Sequence, residues 1–157
     1  MEDDFSSFET FLKLLDRVMT KMSSLHTLPA DFDTGVPLYR AEIHTVQAIG
    51  ELRETTVTEL AEHMSVTKGA VSQIVKKLAA KGLVLRKGRR GDARESILTL
   101  SVAGLRGYNC HREFHQQMFR LVKEHFGDRY DEKIRLFTSV MEDMENILAH
   151  EQELKCS

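Results

Sequence analysis

The stretch "TVTELAEHMSVTKGAVSQIVKKLAAKGLVLRKGRRGDARESILTL" (residues 56–100) contains three consecutive local patterns that together decide the fold. Thr56 followed by Glu59 matches the capping box of a helix N-terminus, so a short helix is predicted over residues 56–64. After a brief turn, the apolar residues of 68–82 recur at helical steps, and the closing glycine is suited to end that helix.

The third pattern is a pair of apolar segments, "LVLRK" and "SILTL", on either side of the turn-rich loop "GRRGDARE" (88–95). Two such segments around a glycine-containing loop predict a β-hairpin. A short helix, a tight turn, a longer helix and a basic hairpin, in this order, form a winged helix-turn-helix. In that unit the second helix enters the major groove of DNA and the hairpin lies against the neighbouring backbone or minor groove.

Polar and basic residues of the second helix and the hairpin suit that task. Lys68, Ser72 and Lys76 share one helical face, where lysines can neutralise phosphates and hydroxyl or amide groups can bond base edges. In an extended strand, Asp92 and Arg94 point to the same side, so the carboxylate can orient the guanidinium for a narrow minor groove. The predicted DNA-contacting residues are Thr67, Lys68, Gly69, Ser72, Gln73, Lys76, Lys77, Arg89, Arg90, Asp92 and Arg94.

The charge distribution agrees with this prediction, although the net charge of −2 does not favour a nucleic-acid partner. Residues 56–100 contain nine Lys/Arg and four Asp/Glu, a local charge of +5, whereas the rest of the chain carries −7. A basic centre between acidic flanks is the local pattern that phosphate binding requires. A solvated basic surface is the alternative for either piece alone.

Apolar residues at helical spacing predict four more helices, over about 5–25, 38–52, 102–126 and 131–154, with 26–37 as a loop. The predicted fold class is mainly α with a small β-hairpin: a single domain (1–157) with a winged unit at about 38–100. The flanking helices, about 5–25 and 102–155, carry large apolar side chains that the winged unit cannot cover. We expect them to form a homodimer, the alternative being that they cover each other within one chain.

The chain shows no sign of a membrane or secretory destination. It opens with the acidic "MEDDFSSFET", where a signal peptide would be basic, and no apolar run is long enough to cross a bilayer. Cys110 and Cys156 are far apart in sequence, which argues against a disulfide framework. A cytoplasmic protein is therefore expected.

The stretch "TVTELAEHMSVTKGAVSQIVKKLAAKGLVLRKGRRGDARESILTLSVAG" resembles the core of the MarR family of bacterial transcriptional regulators. The most specific part is "GDARESILTL", which is similar to the Asp-x-Arg wing signature of that family. The resemblance covers about residues 38–104. It implies a non-enzymatic regulator, an obligate homodimer that reads a pseudo-palindromic double-stranded operator, and control by a small ligand.

A second motif, "NCHREFH" (109–115), places His111 and His115 one turn apart on the predicted long helix. A zinc protease would have its glutamate directly after the first histidine. Glu113 is two residues away, which turns it by roughly 200° from His111, so it cannot serve as the general base. A metal-dependent hydrolase is therefore disfavoured. A helical adaptor without DNA binding is also disfavoured, because it leaves the Asp-x-Arg wing unexplained.

The same histidines could instead belong to a metal sensor. Other candidate ligands are His44 on the second helix and His26, Asp31 or Asp33 in the loop, a donor set that suits Zn²⁺. The arrangement is similar to that of the zinc-responsive branch of the MarR family. This resemblance implies that His26, His44, His111 and His115 are the zinc ligands of this chain. Two positions depart from that branch, since Ile43 and Cys110 stand where it has glutamates.

Three alternatives to zinc remain open at this point. Histidines four apart on a helix are more often solvated or packed than ligating. An aromatic acid or another organic effector could bind in the apolar crevice between the winged unit and the dimer helices. Oxidation of Cys110 is the third alternative, and it would need a lowered thiol pKa, for which the neighbouring His111 and Arg112 offer weak support.

Overall fold

The computed structural model describes residues 2–25, 28–89 and 92–155. Within these ranges the element order agrees with the prediction of four helices, a hairpin and two further helices. The chain divides into two compact units, Met1–Glu113 and Phe114–Ser157. The elements are α1 (Glu2–Leu25), α2 (Arg40–Leu52), α3 (Val57–His63), α4 (Lys68–Ala80), β1 (Val84–Arg89), β2 (Asp92–Leu100), α5 (Val102–Phe126), a 3₁₀ turn (Gly127–Arg129) and α6 (Tyr130–Lys155).

The core of the first unit lies among α2, α3, α4 and the hairpin. The apolar residues at helical spacing on α2 and α4 point into it, as the sequence pattern predicts. Leu52 differs, because it ends α2 at the edge of the unit and remains 36% exposed. Among the described residues, the fully buried apolar side chains are Leu38, Val46, Ile49, Leu60, Val71, Val75, Leu78, Leu83 and Leu98.

The capping box at the start of α3 is present. Glu59 N–H donates to Thr56 Oγ1 at 3.2 Å, and Thr56 N–H donates to Glu59 Oε2 at 2.7 Å. Gly82 follows α4 with a φ of +72°, a left-handed conformation that suits glycine at this position. The predicted boundaries of the helix-turn-helix are therefore confirmed.

The hairpin is longer than the sequence pattern predicts. The prediction of a loop over 88–95 is wrong, because the strands pair from Val84↔Leu100 to Gly88↔Ser96 and, past an irregularity after Gly88, Arg89↔Asp92. Backbone hydrogen bonds hold this ribbon, so the polar and turn-forming side chains near its tip do not end the pairing. Thr55 bonds Leu98 at 3.2 and 2.7 Å, which ties the hairpin to the start of α3.

Ser101 caps α5, which begins at the predicted residue 102, and anchors it to the segment after α4. Its hydroxyl accepts from Gly104 N–H at 3.1 Å and donates to the Gly82 carbonyl oxygen at 2.7 Å. Its backbone N–H donates to the Leu83 carbonyl oxygen at 2.9 Å. The first turn of α5 therefore lies directly against the end of the helix-turn-helix.

The second unit contains the end of α5, the 3₁₀ turn and α6. Gly127, with a φ of +54°, follows α5 where the sequence predicts its end. Phe119 and Tyr130 meet edge to face at 5.7 Å between ring centroids, which joins the two helices across the turn. In the described part of the chain, no helix has the length and apolar character needed to cross a membrane.

Candidate nucleic-acid interface and histidine pair

Helix α4 has one buried face and one polar face. Val71, Val75 and Leu78 are fully buried and hold the helix against α2 and α3. The opposite face is open to solvent, and every residue predicted to contact DNA from within this helix lies on it. These exposed residues are Lys68, Gly69, Ser72, Gln73, Lys76 and Lys77.

The start of α4 separates two roles. The hydroxyl of Thr67 accepts from Ala70 N–H at 3.3 Å, so Thr67 caps the helix whether or not it also contacts DNA. Gly69, in the first turn, has no atom within 4 Å of the position that a Cβ would occupy. Packing among the described residues therefore does not require glycine at Gly69, which is consistent with a close approach by an external partner.

The hairpin adds two basic side chains that the site prediction omitted. Arg86 and Lys87 are exposed on β1. In the sequence they contribute to the local charge, and the apolar residues beside them mark the segment as a strand rather than as a contact surface. Of the predicted wing residues, Arg89, Asp92 and Arg94 have strand backbone, and their side chains, like the whole of Arg90, lie outside the described residues. The contact between Asp92 and Arg94 stays a prediction.

Lys81 was counted toward the basic surface, and the structure gives it an internal partner instead. Its ammonium group lies 2.8 and 2.7 Å from the two carboxylate oxygens of Glu42. No local pattern signals this pair, since the two residues are far apart in the sequence.

His44 and His111 lie together in the first unit. Their ring centroids are 5.4 Å apart, and the edge of Phe32 meets the His111 ring at 5.5 Å. His111 is 4% exposed, whereas His44 is half-buried. The structure therefore brings two of the four predicted ligands side by side. His26 lies outside the described residues, and His115 belongs to the second unit, where its ring meets Phe114 at 5.9 Å.

The loop after α1 is held by the Asp31 carboxylate and by the backbone of Asp33. The Asp31 carboxylate accepts from the backbone N–H groups of Thr34 at 2.8 Å and Gly35 at 3.2 Å. Arg106 on α5 donates to the Asp33 carbonyl oxygen at 3.1 Å. Over residues 2–25, 28–89 and 92–155, no group of three or more His, Cys, Asp or Glu side chains is arranged to hold a metal ion.

Cys110 has the opposite of the environment that a redox sensor needs. Burial raises the pKa of its thiol, and the negative charges of Glu113, Asp33 and Asp31 raise it further. A raised pKa leaves less thiolate at neutral pH, and the thiolate is the reactive form. The weak support that the neighbouring His111 and Arg112 give to a lowered thiol pKa is therefore outweighed by burial and by these negative charges.

The arrangement of α3, α4 and the hairpin defines a winged helix-turn-helix unit. Residues 38–96 match the model of the MarR family. The chain is 31% identical over 113 residues to an uncharacterized HTH-type transcriptional regulator, YhjH, from Bacillus subtilis (strain 168). That match spans 72% of this chain and 64% of the relative.

Two solved structures have a similar fold over most of the length of this chain. Streptococcus pneumoniae FabT, crystallised in complex with DNA, has a TM-score of 0.71 at 19% identity, over 90% of this chain and 96% of that one. Lactococcus lactis ZitR, a zinc-responsive MarR family member, has a TM-score of 0.67 at 19% identity, over 87% of this chain and 96% of that one. At this identity, these likenesses support the fold alone.

Proposed function

We propose that the protein is a transcriptional regulator that binds duplex DNA through α4 and the hairpin. The observation that carries the proposal is the open polar face of α4, in which lysines flank Ser72 and Gln73 while the opposite face is buried. Serine and glutamine can read base edges, and lysines can contact the phosphates on either side. In this proposal the protein is not an enzyme. It acts in the cytoplasm, where it represses transcription by occupying an operator.

We further propose that two copies act together. In one chain, α1 exposes Phe5 (64%) and Met19 (61%), and α6 exposes Phe137 (64%) and Ile147 (63%). Large apolar side chains at this exposure favour burial against another copy. A two-fold dimer would present its two α4 helices to half-sites about 10 base pairs apart, so the operator would be a pseudo-palindrome.

Binding of the purified protein to DNA fragments from upstream of its own gene tests the proposal. By fluorescence anisotropy, we expect one fragment to bind far more tightly than a scrambled duplex of equal length, with affinity falling steeply as salt rises. Sedimentation should give a dimer both free and bound. A monomer that ignores every duplex at low salt would contradict the proposal.

We propose that a ligand controls this DNA binding and that the ligand is Zn²⁺. The proximity of His44 and His111 supports this. The resemblance to the zinc-responsive branch adds His26 and His115 as the further ligands of the proposal. Zinc would supply a fixed electrostatic link among these imidazoles, and it would favour one arrangement of the protein only by binding that arrangement more tightly. From the resemblance to the zinc-responsive branch of the MarR family, we propose that zinc strengthens operator binding.

Zinc titration tests this second step independently of DNA binding itself. We expect wild-type protein to bind zinc in a calorimetric titration and to gain about tenfold in operator affinity, a coupling of typical size for allosteric proteins. His44→Ala and the double variant His111→Ala with His115→Ala should lose both effects, whereas His125→Ala, on the same helix, should keep them.

If the histidine variants keep both zinc binding and the gain in operator affinity, these residues are not the zinc ligands. Unchanged operator affinity in zinc-saturated wild type would favour an organic, for example aromatic, effector instead. Oxidation of Cys110 is the weaker alternative, because the raised pKa of the thiol disfavours its thiolate.

A further inference from the structure

Lys81, the residue that follows α4, is held by three acceptors. Its Nζ lies 2.8 and 2.7 Å from the two carboxylate oxygens of Glu42 and 2.9 Å from the Pro37 carbonyl oxygen. An ammonium group has three N–H donors, so these acceptors can satisfy all of them. The Lys81 side chain is 26% exposed and that of Glu42 6%, which makes this pair less solvated than a surface ion pair.

Glu42 is itself fixed in position. Its backbone belongs to the first turn of α2, and its Oε2 also accepts from Tyr39 N–H at 2.9 Å. The following turns of α2 bury Val46 and Ile49 completely in the core. The carboxylate that receives Lys81 is therefore attached to the most buried helix of the unit.

The third acceptor, the Pro37 carbonyl, ends a loop with its own internal bonds. Ala30 and Leu38 close the loop with two backbone hydrogen bonds of 3.0 and 2.9 Å. Within it, the Thr34 hydroxyl donates to the Val36 carbonyl oxygen at 2.7 Å. The carbonyl that Lys81 contacts is thus held by the closed loop, and Lys81 joins α4 to two fixed points.

The position of Lys81 gives this attachment a mechanical consequence. Helix α4 has 13 residues, so its length is about 20 Å. A tilt of about 3° at the Lys81 end would move the Lys68 end by about 1 Å, enough to misalign hydrogen bonds with base edges. The N-terminal part of a recognition helix is the part that contacts bases.

We propose that Lys81 is a positioning residue, which, through Glu42 and Pro37, sets the orientation in which α4 meets DNA. The proposal rests on the DNA-binding function proposed above. The proposal gives Lys81 a role in sequence specificity, although its N–H donors bond to groups of the protein rather than to DNA. A direct phosphate contact by Lys81 would require breaking this arrangement.

Three roles for Lys81 predict different behaviour of Lys81→Met, a variant that keeps an unbranched side chain of nearly the same length and removes the charge. A positioning residue affects the operator more than other duplexes. A phosphate contact affects all duplexes alike and lowers the dependence of affinity on salt by about one contact for each protomer. A purely structural residue affects only the unfolding transition.

The test measures, for the full chain, the Kd for the tightest-binding upstream fragment and for a scrambled duplex at several salt concentrations. For Lys81→Met we expect about a tenfold loss on the operator, the size of one lost base contact, with less than about a twofold change on the scrambled duplex and an unchanged salt slope. Glu42→Gln should act in the same direction. The double variant should be no weaker than Lys81→Met alone, because both remove one interaction.

Ile49→Val is the matched control, since it removes one buried methyl group from the same unit without touching Lys81. We expect it to lower the thermal midpoint and leave both affinities unchanged. If Lys81→Met does not fold, Glu42→Gln replaces it as the test, because glutamine keeps the size of the side chain. The same comparison then applies, between the affinity lost on the operator and the affinity lost on the scrambled duplex.

Equal losses on both duplexes, or unchanged affinities with a lowered thermal midpoint, would overturn the positioning role while leaving DNA binding intact. A wild-type protein that binds no duplex would overturn the proposed function first and this inference with it. The wild-type measurement therefore separates the two failures.

Discussion

Lys76→Glu is expected to weaken binding to operator DNA about 100-fold at physiological salt. Lys76 lies on the exposed face of α4, one turn after Ser72, so its ammonium group can reach a phosphate beside the bases. A dimer carries the substitution twice. At about 1.4 kcal/mol for each lost contact, two contacts correspond to about two powers of ten.

Anisotropy titrations at several salt concentrations measure both parts of this expectation. The slope of log affinity against log salt should become shallower by about 2, because two phosphate contacts are removed. The thermal midpoint should not change, since Lys76 is exposed and belongs to the polar face of α4.

Lys13→Glu is the matched control for net charge. Its side chain is 77% exposed on α1, and its nearest acidic partner, Glu9, is 3.9 Å away, so the same charge reversal occurs outside the winged unit. We expect at most a small, salt-sensitive change in DNA affinity from this variant. Equal losses from Lys76→Glu and Lys13→Glu would show that only net charge matters and would reject α4 as the binding element.

Gly104→Ala is expected to lower the free energy of unfolding by about 3 kcal/mol, within the range for overpacked interiors. A Cβ at this position would overlap the Leu83 carbonyl oxygen and lie 3.3 Å from Leu100 Cβ. The carbonyl cannot turn away without cost, because it also accepts from Ser101 N–H at 2.9 Å. The added methyl group would therefore push the start of α5 away from the winged unit.

Urea unfolding followed by circular dichroism measures this loss. In a thermal scan the midpoint should fall by about 6–12 °C for a chain of this size. Gly69→Ala is the paired control, since it makes the same substitution in a helix with no atom within 4 Å of the new methyl group. That variant should be neutral or more stable by up to about 1 kcal/mol, because alanine favours helix more than glycine does. Similar destabilisation by both variants would contradict the close approach at Gly104.

The sequence by itself determined those parts of the protein that depend on neighbours in the chain. The capping box of Thr56 and Glu59, the stop at Gly82 and the start of α5 after Ser101 are short-range features, and each is present in the structure. The buried stripe of α4 and its exposed polar face follow from helical periodicity alone. The mainly helical fold with one hairpin was therefore predictable.

Local patterns failed where backbone pairing or side-chain polarity was ambiguous. The hairpin continues past Gly88 toward its tip because ladder hydrogen bonds do not need apolar side chains, so turn-forming residues gave a misleading boundary. For Cys110, the neighbouring His111 and Arg112 gave weak support for a lowered thiol pKa, whereas burial and the negative charges of Glu113, Asp33 and Asp31 raise that pKa.

Only the tertiary structure decided which distant residues meet. It directed Lys81 toward Glu42 rather than into the basic surface and made Gly104 a contact point for the Leu83 carbonyl. It also placed the His44 ring beside that of His111, two residues that only the family resemblance had grouped together. No spacing rule predicts these pairs, because their members lie on different elements. Their proximity depends on how helices pack side by side, and that packing is set by the shape and burial of the whole core rather than by any single segment.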